Sequence, residues 1–334
     1  MQCGGNAKQT SDALADCRRL RLRTWIRGLW LFNMREMREK TMVHSALLLL
    51  LLAPASSMFA GNVRSATAVT WQPANPVRGS AVLFQVSTPR GVRELSGRWF
   101  GRELKFSPLD NKGSFYALAG IPIETAPGSY DLELNGLRST GTFHLLKKVR
   151  IGQARYPRVA ITVAKQFTEP NPEQLKQIDA DKQIKQAVFS KTSEAQLWHG
   201  DFRPPAEAPT SGVFGTERVF NGRVQSRHLG LDYAVPSGTP IRAINHGRVL
   251  LAEHLYFEGG FIVIDHGRGL MSLYLHLSDF MVKEGDVVAA GQVIASSGGS
   301  GRATGPHLHL AVRWQGIYLD PAVVLRLQVP KYGQ

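Results

Sequence analysis

Residues 304–310 read TGPHLHL and run on as AVRW to residue 314. With the two-residue repeat of a β-strand, His307, His309 and Ala311 fall on one face, and Leu308, Leu310 and Val312 on the other. The leucine face belongs against a core. The histidine face needs polar partners, because a buried imidazole without one costs roughly 1–3 kcal/mol. Two satisfied core histidines and a site that binds something both fit this strand taken alone.

The surrounding text repeats the device. In LMSLYLHLS (270–278) Leu273, Leu275 and Leu277 share one face, and Tyr274 and His276 the other; Tyr274 reads as a packing aromatic or a contact near a site. In RHLGLDYAVP (227–236), Gly230 and Pro236 argue for an extended segment, so His228, Gly230 and Asp232 point one way and Leu229 and Leu231 the other. A surface His/Asp ion pair explains that segment equally well by itself. Together, these histidines and the aspartate on the inner faces of one β-domain can supply a His/Asp/His zinc set, with metal–ligand distances of about 2.0–2.2 Å and histidine left over for proton transfer. His199, His246, His254 and His266 sit beside glycines or charges and read as surface or turn residues, while His44 and His144 lie in other segments.

Glycine-punctuated β-prone runs continue from about 213 to 325, among them PIRAINHGRVLLAE and GGFIVIDHG, and predict a compact antiparallel or barrel-like β-domain. Upstream, short β-prone runs between about 66 and 148 alternate with Asn-Pro, Asp-Asn-Lys-Gly and Pro-Gly turn signals, as in an immunoglobulin-like sandwich. No group of polar residues there can do chemistry. Between the two, residues 150–212 read as a connector: Asn171 and Pro172 fit the N-cap and first position of a short helix, and RPPAEAPTSG (203–212) reads as a linker.

The basic MREMREK (34–40) followed by ALLLLLLAPA (46–55) has the order of a secretory signal, with cleavage expected after Ala55 or Ala60. The apolar run is too short for a stable transmembrane anchor. Translation is expected to start at Met34, Met37 or Met42. Both cysteines, Cys3 and Cys17, precede the signal, so the mature chain offers neither a disulfide framework nor a cysteine nucleophile. With 40 Lys and Arg against 26 Asp and Glu, the net charge of +14 attracts polyanions. In an exported protein that favours an anionic wall over nucleic acid.

HLGLD (228–232), YLHLS (274–278) and TGPHLHL (304–310), in that order, resemble the lysostaphin-type zinc metallopeptidases that cut peptidoglycan, whose pattern is H-x-G-x-D, a lone histidine after an aromatic, then H-x-H. The resemblance covers about residues 210–325. It implies His228, Asp232 and His309 as ligands of Zn2+, His276 and His307 as the catalytic pair, and a peptidoglycan peptide as substrate; a regulatory protein partner is compatible with it. The loop GSGRATGPH (299–307) then lines a groove for an extended peptide. The fold class expected is all-β, with an N-terminal immunoglobulin-like sandwich (61–149), the helical connector (150–212) and a barrel-sandwich-like peptidase domain (213–326). The sandwich is expected to position or mask the groove. VKEGDVVAAGQVIASSG (282–298) resembles the hairpin of lipoyl and biotinyl carriers, but its turn SSGGSG holds no lysine to modify. A catalytically inactive envelope protein that binds peptidoglycan or activates another wall hydrolase is the remaining alternative, and the intact ligand pattern argues against it.

Overall fold

The computed structural model describes residues 66–160, 164–167, 169–220 and 223–331. The N-terminal extension and secretory signal expected over residues 1–60 lie outside the described residues.

The first eight strands are β1 (Ala68–Gln72), β2 (Ala81–Ser87), β3 (Val92–Trp99), β4 (Arg102–Lys105), β5 (Ser107–Pro108), β6 (Ser114–Gly120), β7 (Gly128–Arg138) and β8 (Gly141–Ile151). They form two four-stranded sheets, ordered β1-β2-β6-β5 and β4-β3-β7-β8. Strand β7 shows why: Leu132, Leu134 and Gly136 are buried while Asp131, Asn135 and Leu137 are exposed, the alternation of a sheet with one face on a core. Trp99 joins the layers, packing edge-on against Phe84 at 5.3 Å and donating its indole N–H to the Gly120 carbonyl at 3.0 Å.

Next come β9 (Arg158–Ala160), the helix α1 (Pro172–Ser190), β10 (Thr210–Gly212), β11 (Glu217–Phe220) and β12 (Arg223–Arg227). Then follow β13 (Leu231–Tyr233), β14 (Pro240–Arg242), β15 (Gly247–Leu255), β16 (Gly259–Gly267), β17 (Leu270–Phe280), β18 (Val287–Val288), β19 (Val293–Ser297), β20 (Leu308–Trp314), β21 (Ile317–Leu319) and the short helix α2 (Pro321–Val324). The main sheet runs β10-β13-β20-β17-β16-β15-β18; β14 pairs β19, β19 also pairs β17, and β21 pairs β20. Its strand pairs are antiparallel, one of the two forms the sequence predicts, and it does not close into a barrel. A separate small sheet is ordered β12-β11-β9.

Every residue of β16 is buried, because both faces of the main sheet are covered. On one face Ile262, Ile264, Tyr274, Leu308, Leu310 and Val312 belong to the apolar cluster that also holds Phe84, Trp99 and Leu134 of the sandwich. On the other, Leu251, Phe261, Val263, Leu273 and Ala311 pack under α1 through Val188, with Ile184 and Phe189 alongside.

The helix begins as its sequence foretold: the Asn171 side chain accepts from the Gln174 amide, the Gln174 side chain accepts from the Asn171 amide, and Pro172 takes the first turn. Its anchor is polar as well as apolar. Buried Asp181 accepts from the Tyr256 amide at 2.6 Å, and Lys185 pairs with Glu258 at 2.5 Å. Thus the helix clamps the turn between β15 and β16.

One histidine departs from the surface reading. His266 is fully buried; its Nδ1 lies 2.7 Å from the His246 carbonyl, its Nε2 2.7 Å from Ser272 Oγ, and that hydroxyl 3.1 Å from Tyr274 Oη. Apolar neighbours on the strand outvoted the adjacent glycine. Burial pushes its pKa down to about 4, below the free-imidazole value of about 6.5, so the unfolded chain binds the extra proton between those values. Its contribution to stability is full above that upper value and is lost as pH falls toward the lower one. Denaturant midpoints of the whole chain should fall with pH across this window, and His266→Gln should flatten part of that slope; identical slopes would contradict the assignment.

Candidate functional site

Strands β13 and β20 are antiparallel neighbours with Asp232 directly opposite His309 and Leu231 opposite Leu310. The leucines go to the core and the polar pair to the opposite face. His228 enters from the segment before β13, held by its backbone exchange with Thr216 and Gly215. Gly230 makes this approach possible. A β-carbon there would sit 2.4 Å from His309 Nε2, so the glycine makes room for the second imidazole rather than directly for an ion.

His228 Nε2 lies 2.9 Å from Asp232 Oδ1 and 2.9 Å from His309 Nδ1, and His309 Nδ1 lies 2.7 Å from the same Oδ1. The donor set fits a divalent cation. His228 Nδ1 faces the Val213 carbonyl at 2.9 Å and so carries the proton of the neutral ring, leaving Nε2 a lone pair aimed at a carboxylate oxygen and another ring nitrogen. Three electron-rich atoms in one small volume repel unless a cation or added protons lie among them. Two imidazoles and one carboxylate are a zinc donor set.

Burial tunes the same groups. It raises the Asp232 carboxyl, but contacts with His228 and His309 outweigh this and hold it well below the usual carboxylate range, so it stays ionised. Burial pushes the His309 imidazole down, against the pull of Asp232, which favours the neutral, metal-binding form.

The other two histidines stand beside this cluster. The ring centroids of His276 and His307 are 4.7 Å apart, His276 is 6.2 Å from His309, and His307 Nε2 is 3.9 Å from Asp232 Oδ1. Each offers Nδ1 to a backbone carbonyl at 2.8 Å, Ser300 for His276 and Gly305 for His307. That leaves both Nε2 atoms as lone pairs in the neutral rings. Burial, with His309 and His307 nearby, pushes His276 down to about 3.

The strict alternation expected for β17 breaks at this residue. Residues 275 and 276 oppose the single Phe261, since Gly260 pairs Leu277 and Ile262 pairs Tyr274, and His276 has φ of +64°. This is a β-bulge. It turns His276 to the cleft on the side of Leu273 and Leu275, while Tyr274 and Leu277 go to the opposite core. Tyr274 is therefore a packing aromatic, its hydroxyl accepting from the Ile244 amide at 2.8 Å.

Two clefts meet at the cluster, one of about 600 Å³ and one of about 280 Å³. Arg218, His228, His276 and Arg302 line both. No residue of the sandwich strands lines either among the described residues. Arg218 and Arg302 escaped the sequence reading, because single arginines in so basic a chain carry no periodic or motif signal.

Residues 226–321 match the model of Peptidase family M23. Over 103 residues the chain is 40% identical to the peptidoglycan DD-endopeptidase ShyA of Vibrio cholerae serotype O1, covering 31% of this chain and 23% of that protein. The chain spans about a quarter of the length of the curated relatives it matches. A peptidase M23 of Pseudomonas aeruginosa, known from its crystal structure, is 29% identical with a TM-score of 0.57 over 75% of this chain and 95% of that one. The catalytic domain of lysostaphin from Staphylococcus simulans is 31% identical over 36% of this chain and 93% of that one, with a TM-score of 0.33.

Gly230→Ala should displace the His309 ring and weaken any divalent-cation binding at the cluster by about 10–100-fold, the range typical when groups that orient metal ligands are disturbed. Chelator competition checks the affinity and far-ultraviolet circular dichroism the fold; unaltered affinity would show that the ring has room to spare.

Proposed function

We propose that the chain, whose residues 226–321 match peptidase family M23, is a zinc-dependent endopeptidase that hydrolyses peptide bonds in peptidoglycan. The observation that carries the reading is the convergence of His228 Nε2, His309 Nδ1 and Asp232 Oδ1 within 4.8 Å of one another, in a cleft with two more imidazoles. Zinc held by these three residues supplies Lewis-acid polarisation of a carbonyl and makes water acidic enough to attack near neutral pH.

The other residues then handle protons and position. His307, with Nδ1 tied to Gly305, presents a basic Nε2 beside the cluster and takes the proton of the attacking water. His276 is anchored the same way and is the more deeply buried of the two. Neutral at Nε2, it accepts a hydrogen bond and so orients that water, rather than donating to a developing oxyanion. The names of the relatives point to a bond between two D-configured centres of the peptide cross-link. Such a substrate lies outside the cytoplasmic membrane, which agrees with the secretory signal read at residues 34–60, and no helix among the described residues is long and apolar enough to cross a membrane. Since the sandwich lines neither cleft, its role in this reading is to support the sheet rather than mask the groove. An inactive envelope protein is not favoured, because all five polar side chains stand together.

Purified sacculi incubated with the zinc-loaded chain should release peptides whose masses correspond to opened cross-links. His309→Ala should lose both zinc and activity. In contrast, His307→Ala should keep zinc and lose activity by about 10²–10⁴-fold, the usual contribution of a general base. Near-normal lysis by His307→Ala would remove that residue from the mechanism, and intact sacculi after treatment with the zinc-loaded wild type would overturn the function.

A further inference from the structure

Two guanidinium groups flank the cluster without a hydrogen bond to it. Arg218, on β11, brings Nη2 to 3.8 Å from Asp232 Oδ2, too long for a hydrogen bond. Arg302, in the loop between β19 and β20, stacks its guanidinium 4.7 Å from the Phe257 ring centre, and no carboxylate among the described residues pairs with it. The loop is pinned: the Arg302 amide donates to the Phe257 carbonyl at 2.9 Å, and the Ser300 carbonyl receives His276 Nδ1 at 2.8 Å. Arg302 is thereby set at a fixed distance from a residue of the site. The acidic group nearest its side of the cleft, Glu258, is engaged by Lys185.

Both arginines are part-buried and line both clefts. Burial disfavours the charge on each, and Arg302 further opposes the charge on Arg218. Asp232 and Glu258 offset only part of this, because Asp232 Oδ1 is turned to His228 and His309 and Glu258 is paired with Lys185. Two cations in a partly desolvated groove whose nearest carboxylates are shared with other groups raise the free energy of the empty site, and an arriving anion lowers it. A guanidinium presents parallel N–H groups that match both oxygens of a carboxylate.

We propose that Arg218 and Arg302 form a carboxylate-binding pair that holds a free carboxylate of the substrate residue adjoining the scissile amide. The enzyme then selects cross-linked wall peptides in which that carboxylate is free over those in which it is amidated. The proposal rests on the peptidoglycan-endopeptidase reading and adds to it a substrate class and two specificity residues.

Two synthetic cross-linked peptides, identical except for a free carboxylate or a carboxamide beside the scissile bond, test it with the zinc-loaded full chain. The wild type should prefer the carboxylate by about 10–100-fold in kcat/KM, as expected for hydrogen bonds to a charged group. Arg302→Gln and Arg218→Gln should each bring the ratio toward one, and Arg302→Lys, which keeps charge but not the fork, should restore part of it. Zinc content and thermal melts are measured on every variant, since Arg218 neighbours a metal-ligand candidate. Calorimetry with the His307→Ala chain should show the same preference in binding. A wild-type ratio near one, or a preference that survives in both glutamine variants, overturns the carboxylate pair while leaving the endopeptidase intact. Cleavage of neither peptide overturns both.

Discussion

Asp232 faces His309 across a single antiparallel register, and the remaining features of the site are arranged around that pairing. The flanking Leu231–Leu310 and Tyr233–Leu308 pairs insert into the core, so the hydrophobic effect that stabilises the sheet also locks the register. A slip by one residue would bury the aspartate and histidine and expose the leucines. Gly230 then lets His228 approach from the preceding segment, because nothing larger than hydrogen fits beside the His309 ring. Site and core are two faces of one strand pair.

The supporting parts act through backbone. A β-bulge turns His276 out of its expected alternation, and the His276 amide donates to the Glu258 carbonyl at 2.9 Å. That carbonyl belongs to the turn clamped by Asp181 and Lys185 of α1. A segment that reads as a connector between domains is therefore part of the scaffold beneath the cleft. The sandwich contributes differently, by extending the apolar cluster on the far face of the main sheet. The groove lies on the opposite face, beside α1, where Phe261, Leu273, Leu275, His309 and Ala311 line it.

Electrostatics complete the arrangement. The donors are shielded from bulk water, with side chains of His228, Asp232 and His309 only 2–13% exposed. A carboxylate that stays ionised and a His309 imidazole that burial keeps toward its neutral form are the protonation states a cation requires. The surrounding arginines make the cleft positive even after Asp232 is counted, in keeping with a chain of net charge +14, and a positive cleft attracts anionic groups.

The sequence by itself determined the residue types and most of the faces. Period-two patterning marked Leu308, Leu310 and Val312 as core and His307 and His309 as the opposite side, since side-chain direction in a strand alternates whatever the neighbours are. The Asn171–Pro172 start of α1 was equally legible, being a local hydrogen-bond pattern. Tertiary structure alone decided the rest. The bulge at His276, the buried state of His266 and the unclosed sheet depend on which strand lies alongside, and strand neighbours far apart in sequence leave no local signature. Arg218 and Arg302 come from a small sheet and a loop that meet only when the chain is folded, so their shared charge exists as a property of the cleft and not of any stretch of sequence.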